Sequence, residues 1–219
     1  MTDRSAASEG TPSAPLIFYL FADRIVPKHP MLVEGTSIPC TEVRVQKGAL
    51  AVRLLASAFW SLRQQGVVEI EVAESPPARR MLRRPHVRIA PVKRAERPGL
   101  EGAVLASLEG RETVHDVICR WAEVGSTDPW HDVIAEVVNE AVANGLIREV
   151  GAARGVLTKL LGDSVGLEPA CDRIAALESR FQQLDSSWVE FQRREKVLHD
   201  GLAGQCKSSL VACTERWYA

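Results

Sequence analysis

The chain has 219 residues, 46% hydrophobic and 25% charged, which suits a globular protein of one large or two small domains. A formal net charge of −1 argues against bulk attraction to polyanions. The longest apolar run near the N-terminus, Leu16 to Phe21, is too short to span a bilayer, and no basic stretch of a signal peptide precedes it. The five cysteines, Cys40, Cys119, Cys171, Cys206 and Cys213, are odd in number and lack CxxC spacing. They predict reduced thiols in a cytoplasmic protein.

Residues 1–14 are rich in Ser, Ala, Thr and Gly and read as a disordered tail. "LIFYLFADRIV" then reads as a buried strand, because aromatic and β-branched residues favour the pleat. The segment 27–46 holds Pro27, Pro30, Gly35 and Pro39, and is expected to be a loop ending in a short strand, "TEVRV". "GALAVRLLASAFWSLRQQG" places Ala51, Leu54, Leu55, Ala58, Phe59 and Leu62 on one helical stripe, with Gly66 as the left-handed stop. "VVEIEV" alternates like a half-exposed strand.

From Arg79 to Arg97 the chain carries eight basic residues and one acid, Glu96, which leaves the rest of the chain at a net of −8. The candidate polyanion-binding residues are Arg79, Arg80, Arg83, Arg84, Arg88, Lys93 and Arg94. Arginine dominates, and its guanidinium grips phosphate bidentately. The competing reading is a solvated loop paired with Glu69, Glu71 and Glu74. The strip has no aromatic residue, which disfavours base stacking on a single strand. "HVRIAPV" is its expected strand.

Short helices at 100–108 and 113–123 follow, then a turn, "GSTDP", and an amphipathic helix over 129–143 that ends at Asn144-Gly145 before the strand "LIREV". His-Asp-Val-Ile occurs twice, at 115–118 and 131–134. Thr113 with Asp116 has capping-box spacing, and Asp128-Pro129 is a second helix start. The repeat is thus helix-start chemistry set on a core stripe. The sharper alternatives are a metal site from His115, Cys119 and His131, and a His-Asp pair serving Cys119 on an exposed face. Spacing demands neither, and no Walker A loop, dinucleotide fingerprint, HExxH or nucleophile elbow is present. No catalytic residue, metal ligand or cofactor is assigned.

Residues 151–168 read as a linker. Beyond it Ile174, Leu177, Phe181, Leu184, Trp188, Phe191, Glu195, Leu198 and Leu202 are spaced alternately by three and four, an a/d seam with Glu195 its polar member. The expectation for 169–219 is a long helix, weakened at Gly201 and Gly204, that packs on a partner or folds back on its own body. The candidate partner-binding residues are Leu177, Phe181, Leu184, Trp188, Phe191 and Leu198. Trp217 and Tyr218 at the extreme C-terminus suggest a further docking contact.

The stretches "KGALAVRLLASAFWSLRQQGVVEIEV", "ETVHDVICRW" and "IAEVVNEAVANGLI", with a basic hairpin between the first two, resemble the Golgi phosphoprotein 3 family and its bacterial relatives. That resemblance implies a helical protein that docks on phosphoinositide-bearing membranes, and no binding residue is transferred from it. "LEGRETVHDVICRW" with the later "GLI" also resembles generic winged-helix domains. The fold expected is mainly α with small β wings (α+β), a winged-helix-like body over 15–150 followed by a C-terminal helical segment. The function expected is a non-catalytic adaptor or regulator that binds a protein partner or itself through the C-terminal helix, with the basic strip meeting nucleic acid, anionic lipid or an acidic partner. Phospholipid-headgroup binding and winged-helix DNA binding are the alternatives.

Overall fold

The pattern that the sequence writes twice, an amphipathic helix, a glycine and a strand, is built twice. The structure is a computed structural model that describes residues 11–29, 35–73, 86–122, 128–150 and 166–216. In the first unit, helix α3 (Lys47–Gln64) is stopped by Gly66 at φ +61° and continues into an antiparallel pair, β3 (Val68–Ala73) and β4 (His86–Pro91). In the second, α6 (Pro129–Ala143) is stopped by Gly145 at φ +64° and continues into β6 (Ile147–Val150), paired with β7 (Gly166–Pro169). A left-handed residue satisfies the last helical carbonyls while turning the chain, and glycine does this without a Cβ penalty.

Between the units lie α4 (Gly99–Ala106), the short strand β5 (Glu112–Thr113) and α5 (Val114–Ala122). β5 adds to the free edge of β4, giving the order β3-β4-β5 and tying the second unit to the first. A small pair, β1 (Gly35–Ser37) with β2 (Arg44–Gln46), precedes α3. The architecture is mainly α with small β wings, as the sequence predicts. Among the described residues, no helix is long and apolar enough to cross a membrane.

"LIFYLFADRIV" is not a strand. It forms α1 (Ala14–Leu20) and α2 (Ala22–Ile25), and every residue of α1 is buried. A helix enclosed on all sides has no polar face, so its 3.6-residue period is invisible and β propensity misleads. The start signal was nonetheless written: Ser13 Oγ accepts from Leu16 N at 3.2 Å, and Pro15 sits in the first turn. The expected disordered tail therefore gives way to ordered chain at its last residues.

The C-terminal segment forms α7 (Cys171–Ala175), α8 (Glu178–Arg194) and α9 (Lys196–Arg216). The break falls at Glu195 rather than at Gly201 and Gly204, because the polar member of the seam leaves the helix axis and pairs with Arg63 of α3 at 2.8 Å. α9 runs through both glycines, held by Leu202, Cys206 and Leu210 in the core. The seam itself closes on this chain: Phe181, Trp188, Phe191 and Leu198 are buried, and Leu177 and Leu184 pack against the same core. Phe181 stacks on Phe21 at 4.7 Å. Trp188 meets Phe18 at 5.9 Å and Trp60 at 5.4 Å, edge to face.

Cys40 and Cys171 form a disulfide across 131 residues, which corrects the expectation that all five thiols are reduced. The bond pins the loop after β1 to the first residue of α7. Cys119, Cys206 and Cys213 are thiols.

Two outcomes test this packing. A chain ending at Gly151 loses the aromatic side chains that fill the core from α8, so it should show no cooperative unfolding transition, and Trp188→Ala in the full chain should cost about 3–5 kcal/mol in urea titration. A stable monomer from the shortened chain would contradict the shared core. Reduction of the disulfide should lower the unfolding free energy by roughly 2–5 kcal/mol, since the closed loop is long, and Cys40→Ala should make the protein indifferent to reductant.

Candidate functional site

Two helices place a carboxylate on a face that their apolar pattern reserves for the core. On α6, Glu140 follows Val133 and Val137 on the buried stripe; on α4, Glu101 lies between Leu100 and Val104. Both are enclosed, Glu101 at 2% exposure and Glu140 at 3%. A buried carboxylate needs donors. Ser13 supplies two to Glu140, its N–H at 2.9 Å to Oε1 and its hydroxyl at 2.7 Å to Oε2. The residue that caps α1 thus also docks α1 on α6. Gly99 takes φ +56°, and a Cβ there would lie 2.3 Å from Glu140 Oε2, so the chain passes too close for any side chain.

For Glu101, Ser61 and the Ala14 backbone act as hydrogen-bond donors that favour the charged form, while Oε1 is buried without a partner among the described residues. Burial pushes the Glu101 carboxyl above its ordinary range, the hydrogen bond to Ser61 works against this, and the neighbouring Glu140 adds to it. Burial likewise raises Glu140, against the two hydrogen bonds from Ser13. Trp60, 3% exposed, also leaves its indole Nε1 without a partner.

Glu101, Trp60 and Ser61 line one cavity of about 360 Å³ with Ser13, Arg97 and Arg180. The cavity lies where the N-terminus of α1, the last turns of α3, the start of α4 and one face of α8 converge. Arg180 donates to the Pro12 carbonyl at 2.7 Å, and burial lowers its guanidinium below the ordinary value while Glu101 and Glu140 pull it back up. The walls bring one carboxyl group, Glu101, together with two guanidinium groups, Arg97 and Arg180.

Of these residues, Arg97 was marked in the sequence as the last cation of the basic strip. The legible signal was a glutamate on an otherwise apolar stripe, at Glu101 and Glu140. That Arg180, Trp60 and Ser13 meet it depends on how α8, α3 and α1 pack.

Most of the residues that were singled out lie elsewhere. Of the basic strip, Arg88, Lys93 and Arg94 are exposed on β4 and just beyond it. Arg79, Arg80, Arg83 and Arg84 lie outside the described residues. Glu71, one of the three acids expected to pair with the strip, is in register with Arg88, and its carboxylate pairs with Arg111; Glu74 lies outside the described residues. Lys93 Nζ donates to the Gln65 carbonyl at 3.0 Å.

The six candidate partner-binding residues, Leu177, Phe181, Leu184, Trp188, Phe191 and Leu198, sit against their own chain, as described above. Trp217 and Tyr218 lie outside the described residues.

The two His-Asp pairs start helices. Thr113 N and Oγ1 donate to Asp116 Oδ2 at 3.1 and 2.6 Å, and Asp116 N donates back to Thr113 Oγ1 at 3.2 Å, a closed capping box. These bonds hold the Asp116 carboxyl below its ordinary range. Asp128 accepts from His131 N at 3.1 Å and caps α6. Cys119 does not lie on an open face: α9 covers it and brings Cys213 Sγ to 3.4 Å. His115 approaches Cys119 Sγ at 3.6 Å and bonds Ser209 through Nδ1 at 2.9 Å, while His131 is exposed. Among the described residues, no three His, Cys, Asp or Glu side chains are set to hold a metal ion. Comparison with protein-family models, with curated proteins and with solved structures gives no match.

The raised carboxyl of Glu101 has a measurable consequence. Its folded value exceeds its unfolded one, so its contribution to stability is present below the ordinary glutamate value of 4.5 and is lost as pH rises through the folded value. Glu101→Gln should therefore flatten the fall in unfolding free energy above pH 4.5, as read from denaturant titrations across pH. Parallel curves for the two proteins would show that burial does not perturb this group.

Proposed function

We propose that the protein is a non-catalytic adaptor or regulatory protein that docks on an anionic surface through its basic 79–97 segment, and that this surface is the headgroup layer of a membrane rather than duplex nucleic acid. The observation that carries the reading is the exposed set Arg88, Lys93 and Arg94 with Val92, itself 54% exposed, immediately before Lys93. Cations flanking an exposed apolar side chain suit the membrane interface, where each Lys or Arg near an anionic leaflet contributes about 1 kcal/mol. The strands β3 and β4 pair through Ala73 and His86, which bring together the two ends of the connection that holds Arg79, Arg80, Arg83 and Arg84.

Duplex binding fits less well. A helix read into a major groove carries cations toward phosphate and base edges. α6 contains no Lys or Arg. In α3, Lys47 pairs with Asp128, Arg53 with Asp185 at 3.3 Å and Arg63 with Glu195 at 2.8 Å. Neither helix offers a cationic face. Self-association through the C-terminal seam is not part of this reading, since the seam is spent internally. The cytoplasmic leaflet is the anionic surface it calls for.

Sedimentation with vesicles tests the proposal. Phosphatidylserine-containing vesicles should bind the protein, phosphatidylcholine vesicles should not, and added salt should release it. The triple variant Arg88→Glu, Lys93→Glu, Arg94→Glu should fold normally, these side chains being exposed, and lose most of the binding. Equal affinity for neutral vesicles would overturn the reading, and so would salt-sensitive binding to a DNA duplex with none to vesicles.

A further inference from the structure

We infer that Cys119 and Cys213 form a reversible redox site, a dithiol that a small hydroperoxide converts into a second disulfide fastening the last turns of α9 to α5. The sequence sets up both halves. On α5, His115 and Cys119 are one helical turn apart, and on α9 Ser209 and Cys213 are one turn apart, so each pair shares a face. The two faces meet rung to rung. His115 Nδ1 lies 2.9 Å from Ser209 Oγ, and Cys119 Sγ lies 3.4 Å from Cys213 Sγ, with the same separation of 94 residues in both contacts. A repeated offset means that the two helices run side by side in the same direction, so helix packing sets the thiol contact. Trp130 of α6 also holds this part of α9, its Nε1 donating to Thr214 Oγ1 at 3.1 Å.

Cys119, Ala122 and Cys213 make a small apolar cluster beside Trp121, apart from the main core. The two sulfurs are in van der Waals contact and need to close by about 1.4 Å to reach a bond of about 2.05 Å. Cys119 and Cys213 keep 6% and 5% exposure, so the cluster reaches the surface and is open to a small oxidant. Cys206, seven residues before Cys213 on the same stripe, is fully enclosed, and burial pushes its thiol up, which leaves it unreactive. Cys119 reacts first, because the His115 ring lies beside it, with Nε2 3.6 Å from Sγ. When Nδ1–H donates to Ser209 Oγ, Nε2 is left as an acceptor. With hydrogen peroxide, Nε2 takes the Cys119 proton and the thiolate attacks one peroxide oxygen. An S–O bond forms, the O–O bond breaks, and the leaving hydroxide takes the proton back from His115 and departs as water. Cys213 Sγ then attacks the Cys119 sulfur: the S–S bond forms, the S–O bond breaks, and the hydroxyl group leaves with the Cys213 proton as a second water. Two thiols give up two electrons and two protons, and one peroxide becomes two waters. None of these residues belongs to the basic segment, so the pair can oxidise whether or not the protein docks on a membrane.

Non-reducing peptide mapping of the full chain, before and after brief treatment with hydrogen peroxide and alkylation of the remaining thiols, tests this assignment. Peroxide should join the peptides that hold Cys119 and Cys213 with the loss of two hydrogen atoms, and dithiothreitol should restore both thiols. Cys206 should still be alkylated once the treated protein is unfolded. The oxidised protein should unfold at a higher temperature than the untreated one, since the new bond closes a long loop, and Cys119→Ser should abolish that rise. Cys213→Ser should leave Cys119 as a sulfenic acid that dimedone traps. His115→Gln keeps both thiols and should slow formation of the linked peptide on the order of tenfold. Survival of both thiols through peroxide treatment, or a linked peptide that joins either of them to Cys206 instead, would sink the assignment. An unchanged rate in His115→Gln would remove the role given to the imidazole.

Discussion

Arg53 sits where the two ends of the chain meet, and much of the structure depends on how that cation is held. Its guanidinium lies 4.2 Å from the ring of Trp188 and 4.6 Å from that of Phe18, so one charge from the middle of α3 is shared between the N-terminal and the C-terminal helices. Asp185 of α8 pairs with it at 3.3 Å. Burial lowers the Arg53 guanidinium to about 10, against the pull of Asp185, which still leaves it charged at neutral pH. Around it Trp60, Phe191 and His199 close edge to face on Trp188. A buried cation without this aromatic and acidic shell would be costly, so α1, α3 and α8 are required together.

The same three helices frame the polar cavity. Trp60, about two turns of α3 beyond Arg53, contributes its ring to the aromatic cluster and also lines the cavity. Ser13 caps α1 and holds Glu140, and Arg180 on α8 reaches back to the Pro12 carbonyl. Rigid packing on one side thus fixes hydrogen-bonding groups on the other.

The outward surface follows a different logic. α3 uses its cations on Asp128, Asp185 and Glu195, and α6 has none, so neither of these two helices presents a cationic face. Of the basic strip, Arg88 on β4 and Lys93 and Arg94 just beyond it stand exposed. Charge that the composition averages away to a net of −1 is segregated in the fold. The seam from Phe181 to Leu198 is buried against this chain.

Local chemistry was enough to place α3, α6 and the strands that follow them, because each carries a one-sided apolar stripe and a glycine stop that act within a few residues. The capping box at Thr113 and Asp116 and the cap at Asp128 were legible for the same reason. The sequence could also mark a heptad seam, but not what would cover it, since Trp188 and Phe181 suit a partner's helix as well as they suit α1 and α3. Only the tertiary structure decided that. It also decided that "LIFYLFADRIV" is helical, because burial on every side erases the periodicity that identifies a helix. The Cys40–Cys171 bond, the contact of Cys119 with Cys213, and the meeting of Glu101 with Arg180 and Trp60 join residues far apart in the chain. No spacing rule reaches across such separations, and it is the packing of helices against one another that sets them.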